Sequence, residues 1–432
     1  MLRLTTAGDF RRSLEDRRGF GSAELEASVR QLIEEVRTGG DEALLRLTER
    51  FDGVRLTPAG LVITPEEMEE ARRGVEPEFL AALRTARENL ERYHRRQAQG
   101  SWMTLETEGA VLGQVVRPIQ KVGLYIPGGT APLFSTVLAA GVPARVAGVP
   151  DLTVCTPPRR DGSVDRHVLA ALAELGVTRA FRLGGVQAIA ALAYGTRTVP
   201  RVDKIAGPGN TYVTLAKKLV FGDVGVDGLQ GPSEIAVIAD GASRPDWLAA
   251  DLLSQAEHLG GRAYLLTPDA SLAERVQAEL VRQLQDLPTR AVAERSLRDA
   301  GALVTTSGLE EAAELVSLLA PEHVELQVDD PWSLVPAIHH AGAIFVGRLA
   351  TESLGDYAIG PSHVLPTGGT ARFTSALGVD TFQTRTSLIF ASPPGLGAVG
   401  PVAARLARRE GLEAHARAVE ARLNGTQEGG AA

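Results

Sequence analysis

From residue 120 onward one unit recurs along this chain, an apolar strand-like run followed by a glycine turn or a helix, and that alternation leaves few folds open. Val122-Gly-Leu-Tyr-Ile126 runs into Pro127-Gly128-Gly129, Leu152-Thr-Val-Cys155 into a helix through Leu169 and Leu172, and Phe181-Arg-Leu183 into Gly184-Gly185. A second series opens at Ser233-Glu-Ile-Ala-Val-Ile-Ala239 and continues through Ala263-Tyr-Leu-Leu-Thr267, Ala302-Leu-Val-Thr305 and Ala343-Ile-Phe-Val346. Apolar runs alternating with crossover helices read as parallel sheets, so two similar α/β modules in tandem are expected. At 432 residues, 44% of them hydrophobic, the chain is long enough to need more than one core and apolar enough to build them. Residues 22 to 100 read as helices, with Leu32, Val36, Leu44, Leu45 and Leu47 in one amphipathic stripe. The segment after Gly378 ends in a helical run, Pro401 to Leu423, too short for a core of its own. It must pack on its own body or on a partner chain.

Charge and composition exclude several function classes. A net charge of -8 with scattered arginine pairs such as Arg159-Arg160 and Arg408-Arg409 lacks the basic face of a nucleic-acid binder. The single cysteine, Cys155, has no disulfide partner in the chain and fits a reducing compartment. It lies in a strand-like run, which reads as a buried structural thiol rather than a nucleophile. The first residues have no apolar targeting core, and the longest apolar stretch, 131–149, is cut by Pro143 and Arg145. A cytoplasmic protein without membrane contact is expected.

Four of the eight histidines fall in segments crowded with groups that bind metals or move protons: Gln255-Ala-Glu-His258, Ala320-Pro-Glu322-His323, Asp356 to His363, and Glu410 to His415. Imidazole is the commonest metal ligand and titrates near neutral pH, so its recurrence beside carboxylates points to a metal-supported active site. Each segment alone also has a plainer reading. Gln255 and His258 share a face of a helix over 246–258, opened by a Ser243 cap with Asp246 three residues on; His258 there is equally a helix-end imidazole favoured by the dipole. Asp356 and His363 flank a Gly360-Pro361 turn that folds the chain back, but an Asx-turn and a surface histidine would look the same. Glu410 and His415 read as a solvated helix face. Glu322 and His323 stand at a strand entrance, where neighbours can converge and supply two proton acceptors.

Three glycine turns follow strands: Pro127-Gly128-Gly129-Thr130, Gly184-Gly185-Val186-Gln187 and Gly207-Pro208-Gly209-Asn210. Free backbone N–H groups at a helix start suit phosphate, yet none of the three matches the full G-x-G-x-x-G dinucleotide pattern. Structural turns and cofactor contacts both remain open on the spacing.

The chain resembles the histidinol dehydrogenase family from about Val122 to Arg422, and more loosely through the helical N-terminal part. The resemblance rests on Gly123-Leu-Tyr-Ile-Pro-Gly-Gly129, Gly207-Pro-Gly-Asn210, Gly231-Pro-Ser-Glu234, Ser254-Gln-Ala-Glu-His258, Ala320-Pro-Glu-His323, Gly355-Asp-Tyr357, Gly360-Pro-x-His363, Pro366-Thr-Gly-Gly369 and Glu410-Gly-Leu-x-Ala-His415. It implies one Zn2+ per subunit on Gln255, His258, Asp356 and His415, and a catalytic pair in Glu322 and His323. It places substrate contacts on Ser233, His363 and Glu410, joined by His323 and the zinc ligands, and NAD contacts on Tyr125, Gln187 and Asn210. The implied architecture is two tandem incomplete Rossmann-like domains with parallel sheets, a helical N-terminal part and a small C-terminal helical extension. The expected boundaries are 1–120 for the helical region packing on the modules, 121–232 for the NAD-side module, 233–378 for the metal and catalytic module, and 379–432 for the extension. Family members are homodimers whose extension completes the neighbour's site. Three positions depart from the family's usual residues: Ser362 for asparagine, Gln230 for alanine, and Leu259-Gly260 for a more polar pair.

The implied reaction is a four-electron oxidation of L-histidinol to L-histidine through L-histidinaldehyde, using two NAD. His323 is expected to take the alcohol proton and Glu322 to activate water for hydration of the aldehyde. A metal-dependent hydrolase using the same ligand set to activate water is the rival reading.

Overall fold

The computed structural model describes residues 2–15, 21–106, 109–128 and 132–428. Gly129 and Thr130 of the first glycine turn lie outside the described residues. Chain contacts separate two units, Met1–Gln97 with Ile119–Phe382, and Ala98–Pro118 with Gln383–Ala432.

The larger unit is built on two six-stranded sheets, strands being numbered along the chain. The first comprises β2 (Val62–Ile63), β5 (Lys121–Tyr125), β6 (Asp151–Thr156), β7 (Arg179–Arg182), β8 (Lys204–Ala206) and β9 (Gly225–Val226), in the order β2-β7-β6-β5-β8-β9. The second comprises β1 (Arg3–Thr6), β10 (Glu234–Ala239), β11 (Arg262–Thr267), β12 (Ala302–Thr305), β13 (His323–Gln327) and β14 (Ala343–Val346), in the order β1-β12-β11-β10-β13-β14. Counted within each series, both sheets run third, second, first, fourth, fifth, and all these pairings are parallel. This is the doubly wound Rossmann-like order, with a switch point between the first and fourth strands.

The N-terminal region is more than helical: β1 adds in parallel to β12, and β2 adds antiparallel to β7. Both are short edge strands. Between them run the helices Ala23–Asp52, capped by Ser22 Oγ accepting from the Leu25 N–H, and, beyond β2, Pro65–Gly74 and Pro77–Arg95. The long helix kinks at Gly40, where the backbone takes φ 54° and ψ -137°.

Side-chain alternation explains how the second sheet is buried on both faces. Ile235, Val237 and Ala239 of β10 pack in one core cluster with Leu248, Leu252 and Leu265, while Ala236 and Ile238 pack in the opposite one with Val316 and Val324. The first sheet is covered in the same way, Val122 and Leu124 on one side and Tyr125 on the other. Cys155 is buried in the latter cluster, and burial pushes its thiol well above the usual range, which agrees with a structural role.

The smaller unit is an antiparallel sheet of β3 (Trp102–Leu105), β4 (Ala110–Pro118) and β15 (Gln383–Ala391), in the order β15-β4-β3, followed by the helices Pro393–Arg409 and Glu413–Glu428. The expected single helical run over 401–423 is thus two helices. Gly411 takes φ 78° between them, and the Leu412 N–H reaches back to the Ala407 carbonyl. The segment after 382 finds its packing partner in residues 98–118, with nine register pairs from Gln383↔Pro118 to Ala391↔Ala110.

Candidate active site

Strand direction decides which residues meet. The helix Pro245–Ala256 follows β10 and runs back against it, so its C-terminal end returns to the amino edge of the second sheet. Ser233 stands just ahead of β10, and Glu322 and His323 stand at the start of β13, whose His323 is in register with Ile235. Neighbouring first and fourth strands therefore bring Ser233, Glu234, Glu322 and His323 to one edge.

The pair is held by the entrance of β10. The Glu234 N–H donates to Glu322 Oε2 at 3.0 Å, and the Glu234 carbonyl lies 3.0 Å from His323 Nδ1. A carbonyl only accepts, so the ring proton belongs on Nδ1 and Nε2 is the nitrogen left for chemistry. Nε2 faces Asp356 Oδ1 at 3.5 Å, an ion-pair distance without an aligned hydrogen bond. Glu322 and His323 are both buried. Burial pushes the Glu322 carboxyl up to about 8, with the His323 charge opposing and the Asp356 charge adding. Burial works against a charged His323, but the Glu322 charge and the contact with Asp356 outweigh it and carry the imidazole up to about 10.

Asp356 lies in the helix Glu352–Tyr357, and the chain then folds back as the glycine-proline turn predicts: His363 Nδ1 is 2.7 Å from the Asp356 carbonyl. His363 Nε2 is bound in turn to Thr136 Oγ1 at 3.0 Å. Burial disfavours the Asp356 charge, yet the close contact with His323 and its charge, followed by that of His363, hold its carboxyl well below the usual range. Glu352, one helical turn earlier, completes the group: ligand atoms of His323, Glu352 and Asp356 all lie within 4.8 Å of one another. Glu352 is buried and accepts from Ser254 Oγ at 2.6 Å, and its N–H donates to Glu325 Oε1 at 2.7 Å. Burial, then the Asp356 charge, raise its carboxyl to about 7.

Gln255 is 1% exposed, and both Oε1 and Nε2 are buried without a hydrogen-bond partner. Such an amide is costly unless something outside the chain satisfies it. His258 does not continue the helix as expected: the helix ends at Ala256 with Glu257 as cap, and His258 begins the exposed turn, its N–H donating to the Gln255 carbonyl. Crowding by the surrounding protein lowers its proton affinity, with the Asp356 and Glu257 charges opposing. Gly261 closes this turn so tightly that a Cβ there would lie 2.0 Å from the Gln255 carbonyl oxygen. The serine cap expected at Ser243 is also absent. Arg244 is the N-cap because Pro245 opens the helix, and the Ser243 hydroxyl donates instead to Asp240 and the Gln327 carbonyl.

The carboxyl edge of the first sheet holds the other set. Tyr125 ends β5, Gln187 lies in the first turn of the helix Gly185–Tyr194 after β7, and Asn210 caps the helix Thr211–Val220 after β8. Tyr125 Oη accepts from the Gly185 N–H at 3.1 Å, Gln187 Nε2 donates to Asp52 Oδ2 at 3.4 Å, and Asn210 Oδ1 accepts from the Val213 N–H at 3.1 Å. Tyr125 and Gln187 are buried, whereas Asn210 is exposed. Gly207 takes φ +118°, and a Cβ there would meet the Tyr125 carbonyl oxygen at 2.2 Å, so only glycine lets this turn lie against β5.

Glu410 and His415 belong to the smaller unit, where both are exposed: Glu410 caps the helix Pro393–Arg409 and His415 lies in the first turn of Glu413–Glu428. The sequence reading did not single out Thr136, Glu352 or Asp52. Glu352 carried a signal, a carboxylate four residues before Asp356. Thr136 and Asp52 carried none. Among the departures, Ser362 is buried with Oγ accepting from the Val364 N–H, Leu259 is 77% exposed, and Gln230 is buried.

Two doubly wound modules, one presenting glycine turns and the other a buried acid–imidazole cluster, define an α/β enzyme of the dehydrogenase type. The comparisons give the particular family: its profile, described as Histidinol dehydrogenase, matches residues 15–423, and the chain belongs to the histidinol dehydrogenase family. It is 56% identical over 398 residues to histidinol dehydrogenase of Moorella thermoacetica, covering 92% of this chain and 94% of that protein. It is 48% identical over 426 residues to that of Symbiobacterium thermophilum, covering 98% and 97%. The crystal structure of histidinol dehydrogenase from Elizabethkingia anophelis superposes with a TM-score of 0.93 at 34% identity, covering 99% of each chain.

Proposed function

We propose that this protein oxidises L-histidinol through L-histidinaldehyde to L-histidine, passing two hydrides to two NAD. Family membership supports the reaction, and the single observation that carries the site is the cluster at the amino edge of the second sheet. There Glu322 and His323 are held by the N–H and the carbonyl of one residue, Glu234, and His323 faces Asp356.

Gln255, His258 and Asp356, with His415, would hold one zinc ion. The donor set of amide, imidazole and carboxylate suits a borderline divalent metal, and the unpartnered Gln255 amide fits a ligand position. Bound there, the cation would supply a Lewis-acidic anchor for the amine and imidazole nitrogens of the amino alcohol. Asp356 committed to a metal would hold a proton on His323 less firmly, and His323 Nε2 is the acceptor of the alcohol proton as hydride leaves. Glu322 takes a proton from water in the hydration of the aldehyde. Ser233, His363 and Glu410 position the substrate. Tyr125, Gln187 and Asn210 contact NAD, which accepts the hydride. Nothing in the fold or among the relatives favours the hydrolase reading.

In this reading the C-terminal extension completes the site of a second copy, so the enzyme is a homodimer with shared sites. The exposure of Glu410 and His415 supports this. No helix among the described residues is long and apolar enough to cross a membrane. The lone buried thiol of Cys155 accords with a cytoplasmic setting.

The direct test follows NADH formation with histidinol in the purified protein; absence of NADH with metal-replete protein overturns the assignment. Sharing in trans is tested by mixing inactive His258→Ala and His415→Ala chains. Recovered turnover supports the shared site, and verified subunit exchange without recovery rules it out.

A further inference from the structure

Lys217 lies 1% exposed in the helix Thr211–Val220, far from any role in the chemistry above. Its ammonium donates to the Gly207 carbonyl at 2.9 Å and to Gln230 Oε1 at 2.6 Å, and pairs with Asp227 Oδ1 at 2.5 Å. Asp227 is itself fully buried at its side chain, and its Oδ2 accepts from the Gly207 N–H at 2.8 Å. One helical turn before Lys217, the Thr214 hydroxyl donates to the Gln230 carbonyl. Both peptide groups of Gly207, and both the main chain and the side chain of Gln230, are therefore bound to one buried charge pair and its helix.

These two residues head the two segments that the proposed reaction must hold together. Gly207 opens the turn 207–210 and its helix, which carries Asn210 at the cofactor edge. Gln230 opens Gly231-Pro232-Ser233-Glu234, and the N–H and carbonyl of its last residue hold Glu322 and His323. A further bond, from the Gly231 N–H to Thr367 Oγ1 at 2.5 Å, anchors the same segment. A buried charge pair adds little stability over well-packed apolar side chains, and its better-attested use is to fix one geometry among several. Lys217 has three N–H donors and three oxygens here, and Gln230 supplies one of them.

Resting on the dehydrogenase reading, we propose that Lys217 is a positioning residue, and Gln230 its third acceptor, clamping the cofactor turn 207–210 to the substrate segment 230–234 so that hydride donor and acceptor meet at a fixed separation. The clamp touches neither substrate nor cofactor. Its loss leaves each half able to bind while degrading the step that needs both in register.

The test uses the full-length protein with Gln230→Ala and Lys217→Met. Gln230→Ala keeps the charge pair and is expected to fold; Lys217→Met strands Asp227 and is expected to lose thermal stability. In ligand-free protein, hydrogen exchange of the Gln230→Ala variant should rise at 207–210 and 230–234 together and remain unchanged in the neighbouring β6 and β11. With carbinol-deuterated histidinol, kcat should fall about tenfold in Gln230→Ala, with a larger primary isotope effect and an unchanged KM for histidinol. Folded Lys217→Met should show the same pattern more strongly. A lowered melting temperature with unchanged exchange at both segments and an unchanged isotope effect means a structural ion pair only, and overturns the clamp. The wild-type protein separates the two claims: if it yields no NADH the reaction is wrong, whereas normal wild-type turnover with unaltered variants removes the clamp alone.

Discussion

The two sheets of the larger unit share one strand order but present opposite ends to chemistry. In the first, Tyr125, Gln187 and Asn210 stand at or after the carboxyl ends of β5, β7 and β8, the edge at which open α/β sheets generally bind ligands. In the second, Ser233, Glu322 and His323 gather at the amino ends of β10 and β13, at the switch point of that sheet viewed from below. The carboxyl end of that second switch is closed. Asp240 after β10 pairs with Arg348 at 2.8 Å and accepts from the Asp329 N–H at 2.7 Å, and Ser243 is tied to the Gln327 carbonyl that ends β13. The difference teaches that the switch point positions a site, while capping residues decide which end of it is open. It also divides labour physically. The carboxyl edge offers backbone N–H groups and helix starts, which suit a dinucleotide. The amino edge receives the returning end of the helix Pro245–Ala256, which carries Gln255 and leads into the turn at His258.

Removing the proton acceptor at the amino edge is the harshest way to break this comparison. His323→Gln should lower kcat for histidinol by about 10^3-fold while leaving NAD binding at the other edge unchanged. Retention of turnover within a factor of ten would place the chemistry elsewhere. Chelation comes next: turnover should vanish and return with zinc, whereas NAD affinity measured by titration should hold. An NAD affinity that collapses on chelation would mean that the two edges are one site. Glu322→Gln should slow oxidation of supplied histidinaldehyde about 100-fold and the alcohol step far less, because only the former needs activated water. Equal losses in the two half-reactions would end that division between the paired residues.

Asn210→Ala probes the opposite edge and should raise the KM for NAD about tenfold with the KM for histidinol unchanged; loss of its helix cap adds roughly 1 kcal/mol of destabilisation. A rise in the KM for histidinol instead would move Asn210 to the substrate side. The smallest effect is expected at the closed end of the second sheet. Arg348→Ala removes a partly exposed pair with Asp240 and should cost under about 1 kcal/mol in thermal unfolding, with kcat intact. A drop in kcat there would reopen the carboxyl end as part of the site.

Much of this arrangement was legible in local sequence. Strands β5, β6, β7, β10, β11, β12 and β14 announce themselves as apolar runs bounded by glycine or helix signals, because side-chain burial on both faces of a parallel sheet needs continuous apolar residues, whereas β13, with Glu325 and Gln327 in it, was legible only as a strand entrance. The short β8 and β9 and the two-residue edge strand β2 are too brief for such a pattern, and the edge strand β1, Arg3-Leu-Thr-Thr6, is largely polar. The motifs around Glu322-His323, Asp356 and Gln255 were visible as residue types, and the fold-back from Asp356 to His363 followed from Gly360-Pro361. The N-cap of the helix before Gln255 was misplaced by one residue, since Pro245 fixes the first turn and frees Ser243 for the sheet.

What the sequence determined by itself was the period of its hydrophobic residues and the chemistry of its turns, and these suffice for two parallel α/β modules and a shortlist of polar side chains. Only the tertiary structure decided that β4 pairs with β15 from nearly the other end of the chain, that Glu352 joins His323 and Asp356, and that Lys217 holds Gly207 to Gln230. Such pairings join residues remote in the chain through hydrogen bonds and desolvated charges. Their free energy arises only once packing excludes water, so no local pattern records them.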